Sequence, residues 1–163
     1  SGDIDVSTIK PVVEFILEQP LQQEPPRRIV LFISSWGGLL HPAWALVDAI
    51  EHSAIPVDTV GLGHIMSAGL LVFLAGRHRI TPHTSIMSHQ YSDVNIGKHH
   101  ELVGARVEQE NLYTNMVIFY ARKTGKSRKY VEKHLLSSTD VWLTPDEAVE
   151  HGIAHQVTKR IQR

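Results

Sequence analysis

Three side chains in this sequence have the types and settings that acyl transfer needs. Ser67 stands in Gly61-Leu62-Gly63-His64-Ile65-Met66-Ser67-Ala68-Gly69-Leu70, where a β-like segment runs into an apolar helix. A hydroxyl at such a corner is lifted clear of both elements, and the free N–H groups of the helix's first turn face whatever it attacks. Serine before a helix is also a common N-cap, so Ser67 needs partners to mean more. A glycine pair in Ser34-Ser35-Trp36-Gly37-Gly38 follows a buried apolar run and offers backbone N–H groups that a substrate carbonyl can approach. His89, in Met87-Ser88-His89-Gln90, follows another apolar segment, and Asp140, in Ser138-Thr139-Asp140-Val141-Trp142, precedes a short one. Serine is a weak nucleophile until its proton has somewhere to go, which is the work a histidine and a carboxylate divide between them.

These residues depend on the elements around them. Ile9, Val12, Val13, Ile16 and Leu17 recur at helical spacing over 9–18, with Pro11 tolerable in a first turn. The continuous apolar run 29–33 suits a strand buried on both faces, which belongs to α/β proteins. A helix over 39–52 follows, with Leu39, Ala43, Leu46, Val47 and Ile50 on its buried side, then a strand over 57–62 and a helix from Ser67 to about 76. Short strands are expected at 79–81, 85–88 and 153–157. In an open α/β sheet the carboxyl ends of parallel strands share one edge, where such folds place ligands. One long helix spans 98–123 and stops at Gly125. Leu102, Ala105, Leu112, Met116 and Phe119 form one stripe on it, while Val103, Val107, Val117 and Tyr120 lie off that stripe, which signals an oligomer contact. Ser127 caps a helix to about 136, and Thr144-Pro145-Asp146-Glu147 is a capping box opening a helix that Gly152 closes.

At 163 residues the chain is one domain, 1–163, large enough to bury a core without metal or disulfides. Its net charge of −1 exerts no general pull on nucleic acid or anionic membrane. The absence of cysteine fits a reducing, cytoplasmic setting, and the longest apolar run is too short to span a bilayer. A chain opening on Ser1 leaves a trimmed leader open. Eleven histidines invite a metal reading, yet His78, His83, His89, His99 and His100 lack ligand spacing, so no metal is expected. His64, three residues before Ser67, reads as a structural histidine rather than a substrate contact. The basic cluster Arg122, Lys123, Lys126, Arg128, Lys129 and Lys133 reads as a solvated helix end, and Thr124-Gly125-Lys126-Ser127 lacks the first glycine of a phosphate loop.

Taken together, these turns resemble those of the Clp-type proteolytic subunits, the ClpP peptidase family. Ser34-Ser35-Trp36-Gly37-Gly38 sits on that family's Asn-Ser-Pro-Gly-Gly, and Gly63-His64-Ile65-Met66-Ser67-Ala68-Gly69 on its Gly-Gln-Ala-Ala-Ser-Met-Gly. Met87-Ser88-His89-Gln90 sits on its Met-Ile-His-Gln, and Glu147-Ala148-Val149-Glu150-His151-Gly152 on its Glu-Ala-x-x-Tyr-Gly. The resemblance implies a ClpP/crotonase-like α/β spiral with a protruding handle, residues 91–124. It implies Ser67 as nucleophile, His89 as general base and acid, Asp140 as the group fixing the histidine's tautomer, and the N–H groups of Gly38 and Ala68 as oxyanion donors. Gly37, Tyr91, Ser92 and Asp93 would contact substrate, with 91–97 forming the strand that lines a bound peptide. Stacked heptameric rings follow from the resemblance, as does an AAA+ unfoldase that alone uses ATP, this chain itself carrying no cofactor.

The chain departs from the pattern at Trp36 for proline, Ala68 for methionine, Ser138-Thr139 for an Asp-Arg pair, a shorter turn at 76–79, the loop after His89 lacking a glycine pair, and a short segment before the first helix. Those departures keep open a non-catalytic ring or scaffold subunit, while the glycine-turn N–H groups would also suit an enolate in an acyl-CoA enzyme of the crotonase fold, against which the Ser-His-Asp set argues. A serine–lysine peptidase of related fold is disfavoured, since no lysine lies near His89 in the motif.

Overall fold

The computed structural model describes residues 2–92 and 94–160. Its elements are α1 (Val6–Glu18), β1 (Ile29–Ser35), α2 (Leu40–Glu51), β2 (Val57–Met66), α3 (Ala68–Ala75), β3 (Arg77–Ile80), β4 (Ser85–Ser88), α4 (His99–Thr124), α5 (Arg128–His134), β5 (Val141–Leu143) and α6 (Pro145–Glu150). Helix α1 begins earlier than its apolar spacing suggests because Asp5 caps it, accepting from the Thr8 N–H (2.8 Å) while Thr8 Oγ1 accepts from the Asp5 N–H (3.0 Å). Pro11 therefore falls in the second turn rather than the first. Leu39, expected on the buried side of α2, is instead its extended N-cap and 58% exposed.

Strand β2 is the spine of the sheet. It runs parallel to β1 on one side, and on the other to β3 along its first half and β4 along its second; β5 pairs antiparallel with β4. The strand expected to end at Leu62 continues to Met66, because pairing with β4 resumes at His64 after an irregularity in the β1 register between Ile33 and Ser35. No strand forms over 153–157. That backbone runs beside β3, the His155 N–H donating to the His78 carbonyl and the Gln156 carbonyl accepting from the Ile80 N–H, with a single bridge at Val157 and the next residue, Thr158, donating to the Ile80 carbonyl. The described residues of 91–97 also form no strand.

All eight residues of α3 are buried, as a helix apolar on every side must be. Leu70, Leu71, Phe73 and Leu74 each contribute about 1.5–3 kcal/mol through removal from water. The long helix α4 divides into two parts. Its second half packs Met116, Val117, Phe119 and Tyr120 into the core, and Glu51 of α2 ties it down through Arg122 (2.8 Å) and Lys123 (2.6 Å). Its first half leaves Val103 and Val107 more than half exposed. The helix ends at Gly125, whose φ of 70° is the left-handed stop glycine permits.

Candidate active site

Strand register alone sets the order of the chemical groups. Parallel pairing places Ser35 opposite Ile65, so two residues further on Gly37 comes opposite Ser67. Met66 lies opposite Met87, which brings the residues after β4 to the same edge, and the Ser67 N–H continues the ladder by donating to the Met87 carbonyl (3.0 Å). In the antiparallel pair Ser88 faces Val141, so the next step outward sets His89 beside Asp140. Gly37, Ser67, His89 and Asp140 thus form a row across the carboxyl edge of the parallel strands.

Ser67 is held at φ 52°, ψ −127°, the one non-glycine residue with positive φ among those described. Such a conformation costs roughly 1–3 kcal/mol, which the neighbouring ladder and the burial of α3 must offset. The turn aims the side chain away from the helix. Ser67 makes no side-chain cap, and its Oγ lies 2.6 Å from His89 Nε2. Gly37 makes this approach possible: a Cβ there would stand 2.7 Å from Ser67 Cβ and 3.2 Å from its Oγ. The Gly37 N–H donates to the buried Ser35 Oγ (3.1 Å), and its carbonyl accepts from the Ile4 N–H (2.7 Å). Ile4 also takes the Leu39 N–H on its carbonyl (2.7 Å) and bridges to Gly38, so the start of the chain clamps the glycine turn. A Cβ on Gly38, at φ 140°, would collide with Ile4's carbonyl.

The residues flanking His89 tie it to the loop that carries Asp140. Ser88 Oγ donates to the Leu135 carbonyl (2.6 Å), and Gln90 Nε2 to the Leu136 carbonyl (2.8 Å). Burial of Tyr120, whose hydroxyl lies 3.4 Å from Ser88 Oγ, pushes its phenol up to about 12, so it stays neutral there. Asp140 Oδ1 approaches His89 Nδ1 at 3.8 Å, beyond hydrogen-bonding distance, and its side chain is 56% exposed. The Ser–His contact is therefore tight and the His–Asp contact loose.

A cleft of about 370 Å³ opens beside this row. Gly38, Ser67, Ala68, His89, Tyr91 and Ser92 line it, and its apolar wall comes from Leu71 of α3 with Leu112 and Met116 of α4. Ala68 is the first residue of α3, so its N–H has no intrahelical acceptor. Gly37 sits behind Ser67, and Asp93 lies outside the described residues. Tyr91 reaches across to α4, donating to the Gln109 carbonyl (2.7 Å). His64 packs its ring against Trp36, with centroids 4.3 Å apart. The contributions of Ile4, Ser35, Ser88 and the α4 wall were not read from the sequence. Only the apolar stripe containing Leu112 and Met116 hinted at one of them. Among the described residues no group of three or more His, Asp or Glu is placed to hold a metal ion, and no helix is long and apolar enough to cross a membrane.

Comparison with known proteins places the chain in a family. The family model for Clp protease matches residues 2–161. The ATP-dependent Clp protease proteolytic subunit 1 of Protochlamydia amoebophila is 32% identical over 139 residues, covering 82% of this chain and 66% of that protein. Its counterpart in Chlamydia abortus is 35% identical over 139 residues, covering 79% of this chain and 69% of that protein. The chain thus spans about two thirds of the length of these relatives. A solved structure of a ClpP1 mutant from Listeria monocytogenes superimposes with a TM-score of 0.85 at 24% identity, covering 98% of this chain and 88% of that one, which shows the shared α/β fold with its long helix. With a family model spanning nearly every residue and relatives above 30% identity, the chain belongs to the Clp protease family.

Proposed function

We propose that this chain is a single serine-peptidase domain that hydrolyses peptide bonds through Ser67, His89 and Asp140. The observation that carries the reading is the 2.6 Å contact between Ser67 Oγ and His89 Nε2 at a serine in positive φ. Ser67 Oγ attacks the peptide carbonyl as His89 Nε2 takes its proton, and the oxyanion is met by the N–H groups of Gly38 and Ala68. His89 returns the proton to the departing amine, leaving an acyl ester on Ser67. Water, deprotonated by His89, then releases the acid and restores the serine. Asp140 orients His89 and balances its charge when protonated. The apolar wall of Leu71, Leu112 and Met116 favours an apolar side chain next to the cleaved bond. An extended substrate lies along the segment 91–97, with Tyr91 and Ser92 as contacts.

The exposed first half of α4 is the surface for assembly with further copies, in stacked rings that enclose the sites. The relatives' names make them ATP-dependent. For this chain we assign ATP use to a partner unfoldase and none to the peptidase itself. A second reading, a ring subunit with little turnover of its own, is favoured by one observation, the 3.8 Å His–Asp separation with an exposed carboxylate.

Intact-mass analysis after fluorophosphonate treatment, with the native assembly mass recorded first, separates the two. Stoichiometric labelling of the wild type and none of Ser67→Ala supports the peptidase. An assembled wild type that takes no label supports the low-turnover subunit.

A further inference from the structure

At the opposite edge of the sheet, where the parallel strands begin, cationic groups converge. Arg28 precedes β1, Asp58 is the second residue of β2, and Arg77 and Arg79 lie on β3, with Asp58 opposite Arg77 in the parallel register. These four, with His155 and Gln156, enclose a hollow of about 410 Å³. Asp58 is 3% exposed and accepts from Arg28 Nη1 (3.0 Å) and Arg79 Nη2 (3.4 Å). Its carboxylate orients two guanidinium groups without neutralising the cluster, since three arginines face one acid. Arg77 has no ion pair among the described residues, and Arg79 Nε is buried without a hydrogen-bond partner. His155 is fixed by its own contact, Nδ1 lying 3.1 Å from the His78 carbonyl.

We propose that this hollow is a binding site for a phosphate-class dianion, either inorganic phosphate or the phosphoryl group of a monoester. The surplus of two positive charges matches a dianion, and the planar guanidinium fork matches the spacing of phosphate oxygens. Asp58 keeps Arg28 and Arg79 in place before the ligand arrives, so little side-chain entropy is lost on binding. None of these residues takes part in the chemistry at Ser67. The site therefore functions in a chain carrying Ser67→Ala.

The test is isothermal titration calorimetry of the full chain with inorganic phosphate, ionic strength held constant with chloride. The wild type binds saturably at one site per chain, while Arg77→Gln and, separately, Arg28→Gln weaken binding by about tenfold or more, as loss of one charge-assisted pair dictates. Lys129→Gln, on α5 and outside the hollow, leaves binding unchanged. Phosphoserine as a second titrant separates the sources: equal affinity identifies a site for a phosphoryl group on a larger molecule, and binding of phosphate alone identifies a free-ion site. Absence of saturable binding in the wild type overturns the proposal. So does undiminished affinity in a folded Arg77→Gln chain, or an equal loss in Lys129→Gln.

Discussion

Alanine at Gly37 adds one methyl group where the structure has room for none. The added carbon would stand 2.7 Å from Ser67 Cβ, with the Met66 carbonyl at 3.1 Å behind it. Carbon atoms rest at roughly 3.5–4.0 Å, so relief requires a displacement of about 1 Å. The Gly37 carbonyl is tethered to Ile4 and its N–H to Ser35, which leaves Ser67 to yield. Displacement by about 1 Å costs on the order of 10²-fold in rate. The φ of 108° adds roughly 1–3 kcal/mol of backbone strain in an L-residue, so some stability is lost as well. Gly63→Ala separates the two effects. Gly63 also has positive φ, 65°, but its added carbon meets nothing nearer than Ser34 Oγ at 3.6 Å. The assays are the fluorophosphonate labelling rate, hydrolysis of a fluorogenic peptide, and thermal melting of each variant. We expect Gly37→Ala to lose about 10²-fold in labelling rate, and Gly63→Ala to lose about 1 kcal/mol of stability with its labelling rate unchanged. A folded Gly37→Ala chain labelling at the wild-type rate would refute the reasoning, as would an equal rate loss in both variants.

Asp140→Asn removes an exposed carboxylate, so its melting temperature stays at the wild-type value while peptide hydrolysis falls by roughly 10²–10⁴-fold; unchanged hydrolysis removes Asp140 from the mechanism. Burial lowers the His78 pKa from 6.5 to about 4, so between those values the unfolded chain binds the extra proton. Stability from this residue is full above pH 6.5 and declines as pH falls toward 4, by roughly 3 kcal/mol in all; chemical denaturation across that range shows the slope, and His78→Gln flattens it. Val107→Glu places a charge on the exposed half of α4, and native mass spectrometry is expected to show a smaller assembly with the monomer's fold intact by circular dichroism.

The chemical groups were legible in the sequence because each sits at a boundary with a local signature. Ser67 stands between a β-like run and an apolar helix, and His89 follows a short apolar segment. Helix ends were readable for the same reason: the Thr144 capping box and the left-handed Gly125 are satisfied within a few residues of themselves. Errors fell where an element depends on a distant partner. The segment 153–157 has strand composition but lies beside only four residues of β3, and β2 extends past Leu62 because β4 pairs with its second half.

Sequence alone determined the α/β alternation and the candidates Ser67, His89 and Asp140 through residue type, local periodicity and short spacing, and pointed to the family through the resemblance of its turns. Tertiary structure decided their distances: 2.6 Å from serine to histidine and 3.8 Å from histidine to aspartate. It also decided that Ile4 clamps the glycine turn, that Leu112 and Met116 of α4 wall the cleft, and that three arginines meet around Asp58. Each of these is a contact across the register of paired strands or between elements far apart in the chain. Register is set by the summed pairing and packing of whole segments, a quantity that no short stretch of sequence contains.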